Sequence, residues 1–262
     1  MRETEQLEKT LLSYIGKAIG DFKLISEGDK ILVGVSGGKD SYTLLYLLRK
    51  LQQRSPVKFE LLALKLDQGQ PAHPVEVLEE YLRAEKQAYR ILRENTFEIV
   101  QQKLKAGQNQ CFLCARLRRG ILYRAAREMG FNKIALGHHL DDLIETFLMN
   151  VFFAGTTATM PPRLHSRDGH NIVIRPLCYV PEALIAEFAR QKKFPVVSCG
   201  DCGEQNNHRR KWAKALVSTL AQEIPNLRQS LLAAMGNIKP AHLLDGRLLP
   251  DIPLEDTHAP LS

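Results

Sequence analysis

No apolar run in this chain is long enough to cross a bilayer, and no low-complexity tract or internal repeat interrupts it. A helical membrane span takes about 20 consecutive apolar residues, so that class is excluded. Glu3, Glu5 and Glu8 break up the first turns, so no secretory leader is expected there and the expected address is cytoplasmic, with no membrane partner. Cysteine is scarce, five in 262 residues, and four of the five fall in pairs. In a cytosolic protein such pairs point to metal or redox chemistry rather than structural disulfides. Acidic residues are outnumbered, 29 against 36 basic ones, for a net charge of +7 that favours a polyanionic partner. What remains is ordinary: 44% apolar and 25% charged residues, enough to bury a full core.

The densest signal is Ser36-Gly37-Gly38-Lys39-Asp40-Ser41, between the apolar run Ile31-Leu32-Val33-Gly34-Val35 and the leucine-rich run Leu44 to Leu48. It reads as strand, glycine turn, helix start. Adjacent glycines let backbone N–H groups turn inward, and a helix N-terminus adds its positive dipole end, so the loop suits an oxyanion. It is not a Walker A loop, since Lys39 is followed by Asp40 and Val33 stands where the first Gly would be.

Leu7, Leu11, Leu12, Ile15, Ile19 and Phe22 predict an opening amphipathic helix. Strands are expected at Ile31–Val35, Phe59–Leu66, Tyr89–Leu92, Lys133–Gly137 and Ile172–Ile174. Helices are expected after the loop, over Val77–Ala88, Leu113–Met129 and Leu140–Phe153, and from Pro181 as first helical residue. Alternation of this kind predicts an α/β fold: a parallel twisted sheet with helices on both faces, plus an N-terminal helix and a helical C-terminal appendage. The boundaries expected are 1–28 for the N-terminal helix, 29–203 for the nucleotide-binding domain, 204–250 for the appendage and 251–262 for a tail. Ligands bind beyond the carboxyl ends of parallel strands, so Ser36, Asp67 and His138 should converge on one crevice.

Gly137-His138-His139-Leu140-Asp141-Asp142 follows a strand and opens a helix, which places His138 with Asp141 and Asp142 on one face. Helix capping is the plain alternative. A Mg²⁺ or phosphate-orienting site is the other, with Asp40 and Asp141 or Asp142 as carboxylates. Cys111-x-x-Cys114 and Cys199-x-x-Cys202 have the spacing of a Cys₄ zinc site or of an iron–sulfur cluster, while Cys178 reads as a small core residue. Arg116, Arg118, Arg119, Arg124 and Arg127 crowd one helix, and His208, Arg209, Arg210, Lys211 and Lys214 another. Each cluster starts a few residues after a cysteine pair, so a nucleic acid is the partner that would use both.

In order along the chain come Ser-Gly-Gly-Lys-Asp-Ser, Leu66-Asp67-Gln68, Cys111-x-x-Cys114 running into Arg116-Leu117-Arg118-Arg119-Gly120, Gly-His-His-Leu-Asp-Asp, Met160-Pro161-Pro162, Ile174-Arg175-Pro176-Leu177 and Cys199-x-x-Cys202-Gly203. With these motifs the chain resembles the TtcA family, tRNA 2-thiocytidine synthetases of the PP-loop ATPase superfamily, over roughly Leu7 to Asp251. The resemblance implies a Rossmann-like sheet of the HUP type, ATP cleaved to AMP and pyrophosphate, and sulfur placed at C2 of an anticodon-loop cytidine, position 32 of tRNA. It implies ATP and Mg²⁺ bound by Ser36, Gly37, Gly38, Lys39, Asp40, Ser41, Leu66, Asp67, Gly137, His138 and Asp141, with Lys39, Asp40 and Asp142 catalytic. It further implies a [4Fe–4S] cluster on Cys111, Cys114 and Cys202. Bare spacing would add Cys199 as a fourth ligand; the family pattern leaves it as a non-ligand or a persulfide carrier. Arg116, Arg119, Arg209 and Arg210 would contact tRNA, a cysteine desulfurase would be the kind of sulfur donor, and a homodimer is expected. The rival readings are a lysidine- or 2-thiouridine-forming enzyme of the same superfamily, and a zinc-stabilised RNA-binding protein.

Overall fold

Apolar strands alternating with leucine-rich helices build a six-stranded sheet in the computed structural model, which describes residues 2–69, 75–103, 110–166, 168–197 and 204–244. The strands are β1 (Asp29–Gly34), β2 (Phe59–Asp67), β3 (Tyr89–Arg93), β4 (Lys133–Ala135), β5 (Arg163–His165) and β6 (Ile172–Ile174). Their spatial order is β3-β2-β1-β4-β6-β5. All neighbours pair in parallel except β5, which runs antiparallel to β6 at the edge. The expected parallel sheet therefore gains one edge strand that the sequence did not announce. Its three residues are all exposed, so no apolar alternation marks it. The chain runs outward from β1 to β2 and β3, then returns to β1's other side as β4. That reversal opens a crevice beyond the carboxyl ends of β1 and β4.

The helices are α1 (Arg2–Phe22), α2 (Lys39–Arg54), α3 (Val75–Ala84), α4 (Thr96–Lys103), α5 (Gln110–Glu128), α6 (Leu140–Ala154), α7 (Glu182–Lys192), α8 (Glu204–Glu223) and α9 (Leu227–Gly236). The helix expected to reach Ala88 stops at Ala84, because Lys86 takes a positive φ and turns the chain into β3. Pro181, expected as the first helical residue, is instead the N-cap of α7. The eight-residue α4, with Phe97, Ile99 and Val100 as its apolar residues, is too short to show a repeating helical period. The tail expected over 251–262 lies outside the described residues.

Successive strand residues face opposite layers. Ile31, Val33, Ala63 and Ala135 pack in one cluster with Leu11 and Ile15 of α1, Leu44, Leu47 and Leu48 of α2, and Ile185 and Phe188 of α7. Leu32, Leu64 and Ile134 pack in another with Leu122, Ala125 and Ala126 of α5. Each such leucine contributes about 1.5–3 kcal/mol by leaving water. Cys178 lies in the first cluster, where burial pushes its thiol up to about 12, so it is the core residue its surroundings predicted. A third cluster, Leu140, Ile144 and Val217 with Leu227, Leu231 and Leu232, binds α8 and α9 to α6. Val217 sits at the start of α6 and Trp212 against Phe152 and Phe153 at its end, so α8 runs antiparallel to α6.

Candidate active site

The loop after β1 is held in shape by its own serines. The Gly38 N–H donates to Ser36 Oγ at 3.3 Å, the Ser36 N–H donates to Ser41 Oγ at 3.2 Å, and the Ser41 hydroxyl donates to the Gly38 carbonyl at 2.9 Å. Gly37 sits at φ +97°, which a side chain at that position would resist. Buried Lys65 on β2 donates to the Ser36 carbonyl at 2.8 Å, which fixes the loop from below at the N-terminus of α2. No motif signalled Lys65, which lies inside an apolar strand.

β4 brings the second motif against the first. A Cβ on Gly137 would meet the Asp40 carbonyl carbon at 3.1 Å and the Ser41 nitrogen at 3.2 Å, so only glycine permits this approach. His139 is the N-cap of α6: the Asp142 N–H donates to His139 Nδ1 at 3.4 Å, and the His139 N–H donates to Asp142 Oδ2 at 3.1 Å. His139 Nε2 also stands 3.8 Å from Asp40 Oδ1. His138 is held near pKa 4 by burial and by the nearby charge of Arg175 and Arg210, so its ring is neutral at pH 7. It can orient a phosphate or water by hydrogen bonding, not by charge.

The two aspartates of this motif do different work. Asp141 turns to α7, accepting the Glu182 N–H at 2.7 Å, and to Arg228 of α9 at 2.8 Å. Pro181 has no side-chain donor or acceptor, so Asp141 supplies the missing cap. Asp142 faces Arg210 of α8 at 3.4 Å, and the same guanidinium reaches Glu145 at 3.4 Å. Burial nevertheless outweighs Arg210 and pushes Glu145 up to about 7.

Lys39 is the cation of the loop. Its ammonium lies 3.1 Å from Asp40 Oδ1 and 3.1 Å from Glu182 Oε1. Burial alone would lower its pKa, but Asp40 and Glu182 outweigh it and hold the group above its ordinary value. Lys214 of α8 pairs with the other Glu182 oxygen at 2.5 Å. Glu182 was invisible in the sequence, being one glutamate in an ordinary first helical turn. Asp40 Oδ1 is buried and makes no hydrogen bond, its close neighbours being the Lys39 ammonium at 3.1 Å and the His139 ring at 3.8 Å.

At the end of β2, Leu66 is half-buried and Asp67 accepts the Gly69 N–H at 3.0 Å. Buried Gln68 accepts from Arg118 at 3.0 Å, tying α5 to the strand ends. Arg116 and Arg119 are exposed on α5, whereas Arg124 pairs with Glu94. Arg209 lies over the Phe153 ring while Arg210 turns inward, so the two expected RNA-contacting arginines of α8 point to different tasks. Cys111 and Cys114 fall one helical turn apart on α5, with Cys114 half-buried. Cys199 and Cys202 lie outside the described residues, but the segment leading to them is anchored where the Val197 N–H donates to the Gly37 carbonyl at 3.1 Å. Among the described residues no three His, Cys, Asp or Glu groups close a metal site.

A crevice at a strand-order reversal, with a glycine loop, a loop lysine and a facing His–Asp helix start, defines a nucleotide-binding domain of the PP-loop class. A family profile described as PP-loop domain matches residues 4–214. The chain is 51% identical over 245 residues to the tRNA-cytidine(32) 2-sulfurtransferase of Anaeromyxobacter dehalogenans, covering 94% of this chain and 84% of that one. With the enzyme of the same name from Sorangium cellulosum it shares 48% over 250 residues, 95% of this chain and 88% of the relative. The chain belongs to the tRNA-cytidine(32) 2-sulfurtransferase family. The U34-tRNA thiolase NcsA from Methanococcus maripaludis, solved with its [4Fe-4S] cluster, shares the fold at a TM-score of 0.71 and 21% identity, over 90% of this chain and 81% of that one.

Proposed function

We propose that this chain is an ATP-dependent tRNA thiolase that replaces the C2 oxygen of cytidine 32 with sulfur, giving 2-thiocytidine. The observation that carries the reading is the identity of about half of all residues with sulfurtransferases of that name over nearly the whole chain, together with an intact loop and His–Asp site.

A ring carbonyl oxygen is a poor leaving group, and adenylation makes it a good one. The cytidine O2 attacks the α-phosphorus of ATP and pyrophosphate departs. Sulfide then adds at C2 and AMP leaves with the former exocyclic oxygen; sulfur arriving as a persulfide would first be released as sulfide by a thiol reductant, which supplies the two electrons. Lys39 and the positive end of the α2 dipole face the charge that develops on pyrophosphate. Asp40, now paired with Lys39, would hold Mg²⁺ once Lys39 turns to phosphate, and Asp142 is the second carboxylate on that wall. Neutral His138 orients without adding charge. Leu66 and Asp67 line the β2 side, where the adenosine would lie.

Thiolate chemistry fits the Cys111–Cys114 turn, and with Cys202 these residues would hold a [4Fe–4S] cluster. Bound there, the cluster supplies an iron position for sulfide. Residues 29–203 form the catalytic unit in this reading, braced by the helix in 1–28, and 204–250 present Arg209 to the RNA. Arg116 and Arg119 provide a second basic stripe. A cysteine desulfurase as sulfur source, a homodimer and a cytoplasmic address complete the proposal. No described helix is long and apolar enough to cross a membrane.

Nucleoside mass spectrometry of total tRNA from cells with and without the gene tests it. Loss of 2-thiocytidine alone is the expected result. Loss of another modified base reassigns the substrate, and unchanged tRNA overturns the reading.

A further inference from the structure

The end of α6 leaves large apolar side chains in water. Phe152 is 54% exposed, Phe153 45% and Trp212 44%, and every residue from Val151 to Ala158 is exposed. Trp212 meets Phe152 and Phe153 edge-on at 5.5 and 5.4 Å between ring centroids, and Arg209 lies 4.8 Å over the Phe153 ring. Two phenylalanine rings each set against Trp212, with a guanidinium over one of them, form a platform rather than scattered surface residues.

Charge says what the platform fits. No Asp or Glu occurs from Thr146 to Arg167 or from Gln205 to Gln222, while the latter stretch carries Arg209, Arg210, Lys211 and Lys214. Arg210 and Lys214 turn to Asp142, Glu145 and Glu182, which leaves exposed Arg209 and Lys211 beside the aromatics, a combination that suits unpaired nucleotides: bases stack on the rings and phosphates meet the cations. A second copy of this chain is a poor occupant, because a two-fold contact would set Arg209 and its cationic neighbours against themselves. The platform also lies on the path to the reaction. Arg210 reaches Asp142 in the crevice, and Phe153 stands about 16 Å further along the same α6 helix at 1.5 Å per residue.

We propose that Phe152, Phe153 and Trp212, with Arg209, form a stacking platform for unpaired anticodon-loop nucleotides neighbouring the target cytidine. The inference rests on the tRNA-thiolase reading and adds the surface that would hold the loop while one cytidine enters the crevice.

Trp212 is the chain's single tryptophan, so the full-length protein reports on the platform directly. Titration with a stem–loop transcript of the anticodon arm should quench Trp212 fluorescence to saturation, with a midpoint matching filter binding. Phe152→Ser combined with Phe153→Ser alters only exposed side chains and should raise the filter-binding Kd about tenfold, with ATP binding unchanged. Binding by filter assay with no change in Trp212 emission would overturn the platform and leave the thiolase reading standing. No binding at all would overturn both. A double variant that keeps wild-type RNA affinity but sediments with a smaller mass than the parent would make this face a self-contact and overturn the proposal.

Discussion

Lys39 and Glu182 face each other at 3.1 Å across the mouth of the loop, and Lys214 holds the far oxygen of the same carboxylate at 2.5 Å. The loop cation is thus neutralised from within, by a glutamate whose pKa is brought to about 2 by Lys214 and Lys39 against the opposing effect of burial. Glu182 occupies Lys39 and, through Lys214, ties the loop to α8.

Lys39→Ala should reduce tRNA thiolation by at least about a hundredfold, the usual effect of removing one charge-stabilising donor. The iron–sulfur absorbance should stay intact, because the ion-pair partners of Lys39 among the described residues are Asp40 and Glu182, and neither is a cluster ligand in this reading. Thiolation assays beside visible spectra check this, and loss of both together would make the loop structural.

Glu182→Gln should strengthen pyrophosphate binding several-fold in calorimetry, since Lys39 would no longer be neutralised by a carboxylate there. Weaker binding would mean that Glu182 positions Lys39 instead. The pH dependence carries a second signature. With a folded pKa near 2 against an ordinary 4.5, Glu182 stabilises the fold fully above pH 4.5 and loses that contribution as pH falls towards 2. The variant's Tm should fall less steeply over that window.

Glu145 shifts the other way. Its folded pKa near 7 lies above the ordinary 4.5, so the folded state holds a proton that the unfolded state has released between those values. Its contribution is present below pH 4.5 and is lost as pH rises through 7. Glu145→Gln should flatten the decline of Tm between pH 5 and 8 and be the more stable protein at pH 8, by up to about 3 kcal/mol.

Gly137→Ala should impair the enzyme through geometry alone. The added methyl meets the Asp40 and Ser41 backbone at 3.1–3.2 Å, so β4 and α2 must part. A stability loss of about 1–3 kcal/mol, with a larger proportional loss in thiolation than in Tm, is expected from denaturant curves and turnover.

Cys111→Ser and Cys114→Ser should each strip iron from the purified protein, and Cys199→Ser should leave it in place. Cys178→Ser should keep the iron but cost about 1–3 kcal/mol, because it puts a hydroxyl in the apolar site where the thiol now sits. Iron analysis and thermal melts separate the two classes; iron loss in Cys199→Ser would make it a fourth ligand.

The sequence alone determined the features whose physics is local. Apolar runs of strand length alternating with leucine-rich helical periods dictate an α/β sheet. The glycine pair before Lys39 dictates an anion loop, and the His-Asp run after β4 a helix start. Cys178 among apolar neighbours reads as core, and is core. Tertiary structure decided everything that depends on residues far apart in the chain. Only folding sets Glu182 and Lys65 beside the loop, because neither lies within a motif and both act across strand or helix boundaries. Only folding divides Asp141 from Asp142: adjacent on α6, they point to different neighbours, one capping α7 and the other meeting Arg210. The edge strand β5 and the aromatic platform are likewise tertiary. A three-residue exposed strand takes its order from β6, and Trp212 meets Phe153 only because the third apolar cluster lays α8 antiparallel along α6.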